Sequence, residues 1–250
     1  PLFVLGAIAE GWSTVLPHMA SAMAGAALVE LLLARLEKRA IGWPSSALLS
    51  GSIVGFVLDP TTIPIVTFIV GATASASKYI LATKRGHIFN PAALALIISI
   101  PTFATGQSWW GALPDLPWQF IAVLLIGGAF VVDRINKFPL VLSFATTYFS
   151  IFTLIALINP TAGAEMFRTP FVQSALFLAL FMLTDPPTSP SRERDQLWIG
   201  ALVAVLSCAA QLAGIGQAYL LVGVLLGNAT LAAVRLARES RVARASIPVS

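Results

Sequence analysis

The chain has 250 residues, of which 57% are hydrophobic and 10% are charged, whereas roughly a quarter of the residues of a typical soluble domain are charged. This composition excludes a soluble globular domain and predicts an integral, all-α membrane protein with one transmembrane domain over 1–250. The net charge of +4 does not indicate a nucleic-acid partner, because Lys and Arg form short clusters between apolar runs, as loops of membrane proteins do.

Nine apolar runs, each ended by Pro, Gly, Asn or charged residues, are long enough for whole or broken transmembrane helices. The predicted spans are 14–36, 44–58, 62–82, 90–103, 118–132, 139–158, 170–183, 197–212 and 218–236. Residues 237–250 are predicted to form a basic cytoplasmic tail. The chain begins at Pro1 without a Met, and 2–9 lack the basic flank of a signal peptide, so we expect further residues to precede it.

Basic residues predict the orientation, because Lys and Arg near span ends are retained on the cytoplasmic side. They cluster after every second span, beginning with the first, and the intervening loops contain one basic residue, Arg168. The clusters are Arg35, Lys38 and Arg39; Lys84 and Arg85; Arg134 and Lys137; Arg192 and Arg194; and Arg235, Arg238, Arg241 and Arg244. The N-terminus is therefore predicted on the outer side and the C-terminus in the cytoplasm.

Two Pro-rich segments 126 residues apart nearly repeat each other: 59–64 read Asp-Pro-Thr-Thr-Ile-Pro and 185–190 read Asp-Pro-Pro-Thr-Ser-Pro. The predicted orientation places the first at an outer span end and the second at an inner one, so the repeat is inverted. Asn90 before the fourth span has a counterpart in Asn228 of the ninth. We predict repeats 14–117 and 118–236 in a 5+5-like bundle with broken helices, one terminal helix being absent.

Broken helices in inverted repeats commonly place a ligand between the halves, because the freed backbone groups there need partners. Alternatively, each Asp-Pro pair only caps a helix and forms a turn, as Asp and Pro do in many proteins. The matched pair favours a ligand site over two unrelated turns.

Few side chains could hold a metal or haem. Cys208 is the single cysteine, so this chain alone cannot ligate an iron–sulfur cluster, and no metal site is predicted. The two histidines, His18 and His87, are predicted on opposite sides, roughly 30 Å apart, which excludes a haem held between them. His87 is interpreted as an interfacial residue, either solvated or close to a phosphate.

Glu30 is an isolated charge inside the first predicted span, where ionisable groups are costly. That span offers no cation at matching depth. Glu30 is therefore protonated, paired with another helix, or part of an ion path, and the sequence leaves these alternatives open.

Several motifs resemble the RnfD/NqrB family, the large membrane subunits of ion-translocating ferredoxin:NAD and NADH:quinone oxidoreductase complexes. They are Phe-Asn-Pro-Ala at 89–92, Gly-Gly-Ala-Phe at 127–130 with Asp133 and Arg134 after it, Pro-Leu-Val-Leu-Ser-Phe-Ala-Thr at 139–146, and Thr-Asp-Pro-Pro-Thr-Ser-Pro at 184–190, the most specific. The resemblance covers most of 43–236. It implies a ten-helix fold of two inverted repeats, a flavin cofactor and residence in a multi-subunit complex of the bacterial inner membrane.

The chain departs from the family in one loop. Family members carry a Ser/Thr-Gly-Ala-Thr motif whose last Thr is esterified to the phosphate of FMN. The equivalent loop here, 101–110, reads Pro-Thr-Phe-Ala-Thr-Gly-Gln-Ser-Trp-Trp, and Thr105 is the nearest stand-in. The departure favours non-covalent FMN or riboflavin, or no flavin, over a covalent one.

If a flavin binds, the second Pro-rich segment offers the groups that it needs: hydroxyls of Thr188 and Ser189 beside Asp185, and the charges of Arg192 and Arg194 for a phosphate. The corresponding candidates in the first repeat are Thr62, with Thr61 beside it, and Asn90. The alternative is that these residues cap broken helices without a ligand.

Three functions fit the sequence. The leading hypothesis is a membrane electron-transport subunit, itself not an autonomous enzyme, that passes electrons from partner redox subunits through a flavin toward quinone and is linked to ion translocation. The second is a channel or transporter for a small polar solute, since inverted repeats with broken helices also suit permeation. The third is a cofactor-free structural subunit of a larger membrane assembly. Lipid surrounds the chain in each case.

Overall fold

The computed structural model describes residues 1–40, 42–83 and 86–245, without the side chains of 162 and 241–245. Lys84 and Arg85, assigned above to a basic loop, and the end of the predicted tail lie outside these residues.

The described chain is mostly helical. Its helices are α1 (Leu2–Glu10), α2 (Trp12–Leu36), α3 (Ser45–Val57), α4 (Pro64–Ile80), α5 (Pro91–Phe103), α6 (Ile121–Arg134), α7 (Phe138–Ile158), α8 (Pro160–Glu165), α9 (Thr169–Phe177), α10 (Glu193–Leu212) and α11 (Tyr219–Ala245). A π-helical segment, Leu178–Met182, continues α9, and short 3₁₀ turns occupy Trp110–Ala112, Trp118–Phe120 and Gly216–Ala218.

Each predicted span lies largely within a helix, which confirms the all-α class. Among the described residues, α2, α7, α10 and α11 are long and apolar enough to cross a membrane, whereas α3, α5 and α9 with the π segment are shorter apolar helices. Large apolar side chains such as Ile126, Phe130 and Leu157 are more than 70% exposed, as a lipid-facing surface requires. The chain is thus a multi-pass membrane protein, and the count of nine spans stays a prediction.

Two local features differ from the sequence interpretation. Residues 237–245, assigned to a tail, continue α11 without a break, because Ala, Arg and Glu favour helix and no Gly or Pro interrupts them. Between α4 and α5 the strands β1 (Ala82–Thr83) and β2 (Gly86–His87) form a small antiparallel pair, with Ala82 opposite His87. Short strands of this kind leave no periodic sequence signal.

The same close packing occurs in two sets of helices. α2 packs most extensively on α4, where a Cβ at Gly71 would lie 2.1 Å from the Ala22 carbonyl oxygen. α7 packs in the same way on α10, where a Cβ at Gly200 would lie 2.4 Å from the Leu140 carbonyl oxygen. Small residues let helix backbones approach, which is the main source of helix association in lipid.

The two Pro-rich segments lie at opposite ends of α4. We call 59–63 the Asp59 turn and 183–192 the Asp185 turn. The Asp59 turn leads directly into α4, whose 17 residues span about 25 Å. At the other end of α4, β2 brings the His87 Nε2 atom to 3.0 Å from Asp185 Oδ2. The length of one helix therefore separates the two turns.

Candidate functional site

The Asp185 turn begins where the helical hydrogen bonds loosen. In the π segment the Leu183 amide donates to the Leu178 carbonyl at 2.8 Å, five residues back. Pro186 and Pro187 then lack the N–H groups that would continue the helix. Single-turn π segments recur at functional sites, because they free backbone groups and redirect the chain.

Side chains from distant elements bind the carbonyl oxygens that this break leaves free. Arg235 of α11 donates through Nη1 to the Pro187 oxygen and through Nη2 to the Ser189 oxygen, both at 2.9 Å. The Asn228 Nδ2 atom donates to the Thr188 oxygen at 3.2 Å. Together with Lys137, described next, these side chains bind four successive carbonyl oxygens, those of residues 187–190.

Lys137, just before α7, is the third side chain that binds a carbonyl of the turn. Its Nζ atom donates to the Pro190 carbonyl at 2.6 Å, and only 5% of the residue is exposed. Burial, and then the charge of Arg235, lower the pKa of Lys137, while Asp185 opposes this. A buried ammonium whose hydrogen bond goes to a backbone carbonyl ties the start of α7 to the turn.

The asparagines paired by the sequence comparison touch each other. The Asn90 amide donates to Asn228 Oδ1 at 2.9 Å, and Asn90 Nδ2 donates to the Met182 carbonyl at 2.9 Å. Asn90 Oδ1 also caps α5 by accepting from the Ala93 amide. Asn90 therefore joins both halves of the chain at the Asp185 turn.

An imidazole–carboxylate pair completes the site. Asp185 Oδ2 lies 3.0 Å from His87 Nε2 and accepts from the Thr188 hydroxyl at 3.0 Å. Both side chains are mostly buried, with 13% of His87 and 23% of Asp185 exposed. The pair ties β2, in the first half, to the turn in the second.

A cavity of about 300 Å³ lies beside the turn. Its polar lining comes from Thr83, His87, Thr188, Asn228, Arg235 and Glu239, and its apolar lining includes Ile88, Pro187, Leu231 and Leu236. We call it the turn cavity. A wider recess of about 670 Å³ shares Pro187, Leu231, Arg235 and Glu239 with it and adds Arg192 and Arg238.

A smaller cavity of about 220 Å³, here called the interface cavity, lies on the other side of His87. α3, α4, α5, α6 and the Asp185 turn all contribute to its lining, which includes Lys78, Asn90, Thr184 and Asp185. The Lys78 Nζ atom donates to the Ser46 carbonyl at 2.8 Å and to its hydroxyl at 2.9 Å.

The structure brings together only part of the predicted set. Asp185, Thr188, Ser189 and Asn90 meet at the turn, and Arg192, which is exposed, lines the recess. Thr188 and Asn90 direct their side chains to the turn itself, while the Ser189 hydroxyl is buried and has no hydrogen-bond partner among the described residues.

The remaining predicted residues lie elsewhere. Thr62 belongs to the Asp59 turn, the length of α4 away, so it does not join Asn90 in one site. The Thr105 hydroxyl lies 2.7 Å from the Ser99 hydroxyl, just beyond the far end of α5. Glu30 lies in the last third of α2 and accepts a 2.6 Å hydrogen bond from Tyr79 of α4, so it is paired with another helix.

Sequence reasoning missed the roles of His87, Lys137 and Arg235 at the turn. Lys137 and Arg235 were counted only as basic residues near span ends, and His87 as an interfacial residue. The match between Asn90 and Asn228 was the one available signal that these segments meet.

These features define a class: a multi-pass membrane protein with a polar, cation-rich site at a helix break. The family model described as the NQR2, RnfD, RnfE family matches residues 111–242, and the chain belongs to that family. Its members are membrane subunits of multi-subunit electron-transport complexes, so membrane redox subunits are the partners that the family supports. A search of curated proteins found no match to the chain.

Proposed function

We propose that this chain is the membrane-embedded electron-transport subunit of such a complex and that the turn cavity holds the ring system of a non-covalent flavin. The observation that carries the proposal is a cavity of about 300 Å³ at a helix break, bounded by side chains from both halves. This volume is at the lower end of the range for ligand pockets, suited to a ring system and too small for a dinucleotide.

The residues present fit a flavin ring. Ile88, Leu231 and Leu236 supply an apolar wall, and His87, Asn228 and Arg235 supply polar atoms at its edge. A bound flavin would contribute the electron-transfer chemistry, while the protein contributes its position and electrostatic surroundings. Thr188 and Asn90 would act on the ligand indirectly, by holding the turn.

Arg192 is the residue best placed for a phosphate. Arg238, the neighbouring cation in the recess, is already bound through both terminal nitrogens to Asp195, at 2.8 and 3.0 Å. FMN would therefore use Arg192, and riboflavin would not need it. Thr105 is separated from the cavity by the length of α5, which supports non-covalent binding.

We also propose that the two sets of helices are inverted repeats of a 5+5-like bundle, with the Asp185 turn on the cytoplasmic side of a bacterial inner membrane. The equivalent packing of α2 on α4 and α7 on α10, and the separation of the turns by one helix length, support this arrangement. Cysteines introduced at 59 and 185 should then react with impermeant reagents from opposite sides of the membrane. Labelling from one side alone would overturn the repeat.

We extend the proposal in two ways: quinone is the electron acceptor, and an ion is translocated along a path that includes Glu30. The Glu30–Tyr79 pair lies near the Arg39 guanidinium, 3.1 Å from the Tyr79 hydroxyl, so a cation path would need this network to open. Glu30→Gln should slow ion uptake by the assembled complex and leave flavin content unchanged. An unaltered uptake rate would remove Glu30 from the path.

The visible absorption of the purified chain tests the central claim. Ala232 lines the turn cavity, so Ala232→Trp should fill the space and abolish the flavin absorption bands. Ala237→Trp, at an exposed position five residues further along α11, should keep these bands. Arg192→Gln should weaken retention of FMN but not of riboflavin. Colourless wild-type protein, prepared with added FMN and riboflavin, would overturn the proposal. Solute flux in liposomes would then separate a channel from a structural subunit.

A further inference from the structure

His87 differs from the other histidine of the chain in how its ring is bound. The ring of His18 is 1% exposed and has partners at both nitrogens, the Gly55 carbonyl at 3.1 Å and the Thr67 hydroxyl at 3.2 Å. The ring of His87 has one partner among the described residues, Asp185, at Nε2. His18 is therefore a structural residue, and His87 has a nitrogen left for chemistry.

His87 also lies between two cavities. It lines the turn cavity together with Thr188 and Asn228, and it lines the interface cavity together with Lys78 and Asp185. It is the titratable residue common to both linings. A ligand in the turn cavity would therefore border the His87 side chain directly.

Asp185 determines which ring nitrogen is available. A carboxylate acceptor at Nε2 favours the Nε2–H tautomer of the neutral ring, which leaves Nδ1 without a partner among the described residues. The other charged groups of the described residues facing this region are Lys78 of α4 on the interface side, Arg235 and Glu239 of α11 on the side of the turn cavity, and Lys137 before α7, which binds the Pro190 carbonyl. Their charges are of mixed sign, and Asp185 is the one that hydrogen-bonds to the ring.

We infer that His87 delivers the proton that a reduced carrier in the turn cavity takes up, with Asp185 as its positioning residue; this rests on the proposed function. When the carrier has received electrons from the donor subunit, the Nδ1–H bond of the His87 imidazolium breaks and its electron pair stays on nitrogen. The proton forms a new bond to a reduced nitrogen or oxygen of the carrier. The neutral imidazole then regains a proton from a hydronium ion of the solvent, which is left as water; the recess, which shares lining residues with the turn cavity, is the route we assign to it.

The first test needs no cofactor. Because the chain has two histidines, ¹⁵N-histidine labelling gives two ring systems, and His18→Gln identifies the signal of His87. In carrier-free protein we expect the neutral His87 ring as the Nε2–H tautomer, and a mixture of tautomers in Asp185→Ala. Asp185→Asn, which keeps an oxygen acceptor, should retain the Nε2–H form. An Nδ1–H tautomer in the wild type, or no change in Asp185→Ala, would overturn the role of Asp185.

The second test follows proton uptake during reduction of the flavin-loaded chain, with a pH-indicator dye. Per molecule of bound flavin, measured by its absorption in each preparation, His87→Ala should slow uptake about 100-fold, a typical contribution of a positioned acid. Free imidazole should restore the rate, which a structural role for His87 would not allow. Asp133→Asn, which neutralises an exposed carboxylate at the end of α6, should have no effect.

The outcomes separate the two claims. A chain that binds no flavin overturns the proposed function and, with it, the carrier to which His87 would deliver a proton. A chain that binds flavin normally, and whose proton uptake is unchanged in His87→Ala, overturns the inference alone. Slow uptake that imidazole does not restore also overturns it, since the loss would then be structural.

Discussion

The Asp59 and Asp185 turns share a sequence pattern and differ in what surrounds them. Asp59 Oδ1 accepts from the amide of Thr61 at 2.8 Å and from its hydroxyl at 2.6 Å, so the Asp59 side chain bonds within its own turn, while its amide donates to the Gly106 carbonyl at 3.1 Å. Asp185 instead reaches His87, 98 positions away, and Arg235, Asn228 and Lys137 bind the carbonyls of its turn.

The charge around the two turns also differs in sign. Near the Asp59 turn, burial and then the Asp115 and Asp59 carboxyl groups raise the pKa of Glu10. The Asp185 turn is held by Lys137 and Arg235. The comparison teaches that a repeated helix-breaking pattern predicts where a chain turns, whereas the long-range partners decide which turn becomes a site.

The largest expected effect tests whether the helix pairs α2–α4 and α7–α10, one in each half of the chain, are packed in the same way. Gly71→Ala and Gly200→Ala would each place a methyl group against a backbone carbonyl, so each should destabilise the protein by more than about 3 kcal/mol. Gly127→Ala, where a Cβ would meet nothing within 4 Å, is the control and should change little. Thermal unfolding in detergent measures the three variants. A severe loss in only one of the two glycine variants would break the equivalence.

Arg235→Met sharpens the contrast between the turns. It leaves the Pro187 and Ser189 carbonyls without their guanidinium partner, at a cost of roughly 2–3 kcal/mol. Its methylene stem is kept, so packing changes little. Faster proteolysis of the turn and a lower melting temperature should accompany the loss. A melting temperature equal to that of the wild type would mean that water binds these two carbonyls as well as Arg235 does.

Asp59→Ala should cost less, about 1 kcal/mol, because it removes a local, partly exposed cap of the kind that Asp forms at turns. The same thermal measurement applies. A loss equal to that of Arg235→Met would contradict the view that the Asp185 turn depends more than the Asp59 turn on side chains from distant elements.

The smallest effect is a pH dependence at Lys137. Its pKa is lowered from 10.5 in the folded protein, so between the lowered value and 10.5 the unfolded chain binds more protons and stability rises with pH. Outside this pH range the contribution of Lys137 to the free energy of unfolding does not change with pH. The melting temperature of Lys137→Met, compared with wild type from neutral pH to about 10.5, should lack this rise. Arg134→Gln should retain it.

The sequence predicted the helices well because apolar runs and their Pro, Gly and charged ends are local signals. Asn90 and Asn228 were matched by their neighbours, and they do meet. The pairs His87–Asp185 and Arg235–Pro187 could not be predicted, since they depend on how helices far apart in the chain pack. Thr62 resembled Thr188 locally, but nothing local indicates that one helix length separates them.

The π segment Leu178–Met182 makes the site sensitive to chain length. A helix turns about 100° per residue, so the extra residue in this turn sets the rotational phase of everything that follows it. Losing one residue there would restore a regular spiral while swinging Asp185 about a quarter of the way around the axis, out of register with His87. The spacing between α9 and the Pro-rich break is therefore as much a determinant of the site as the identity of its side chains.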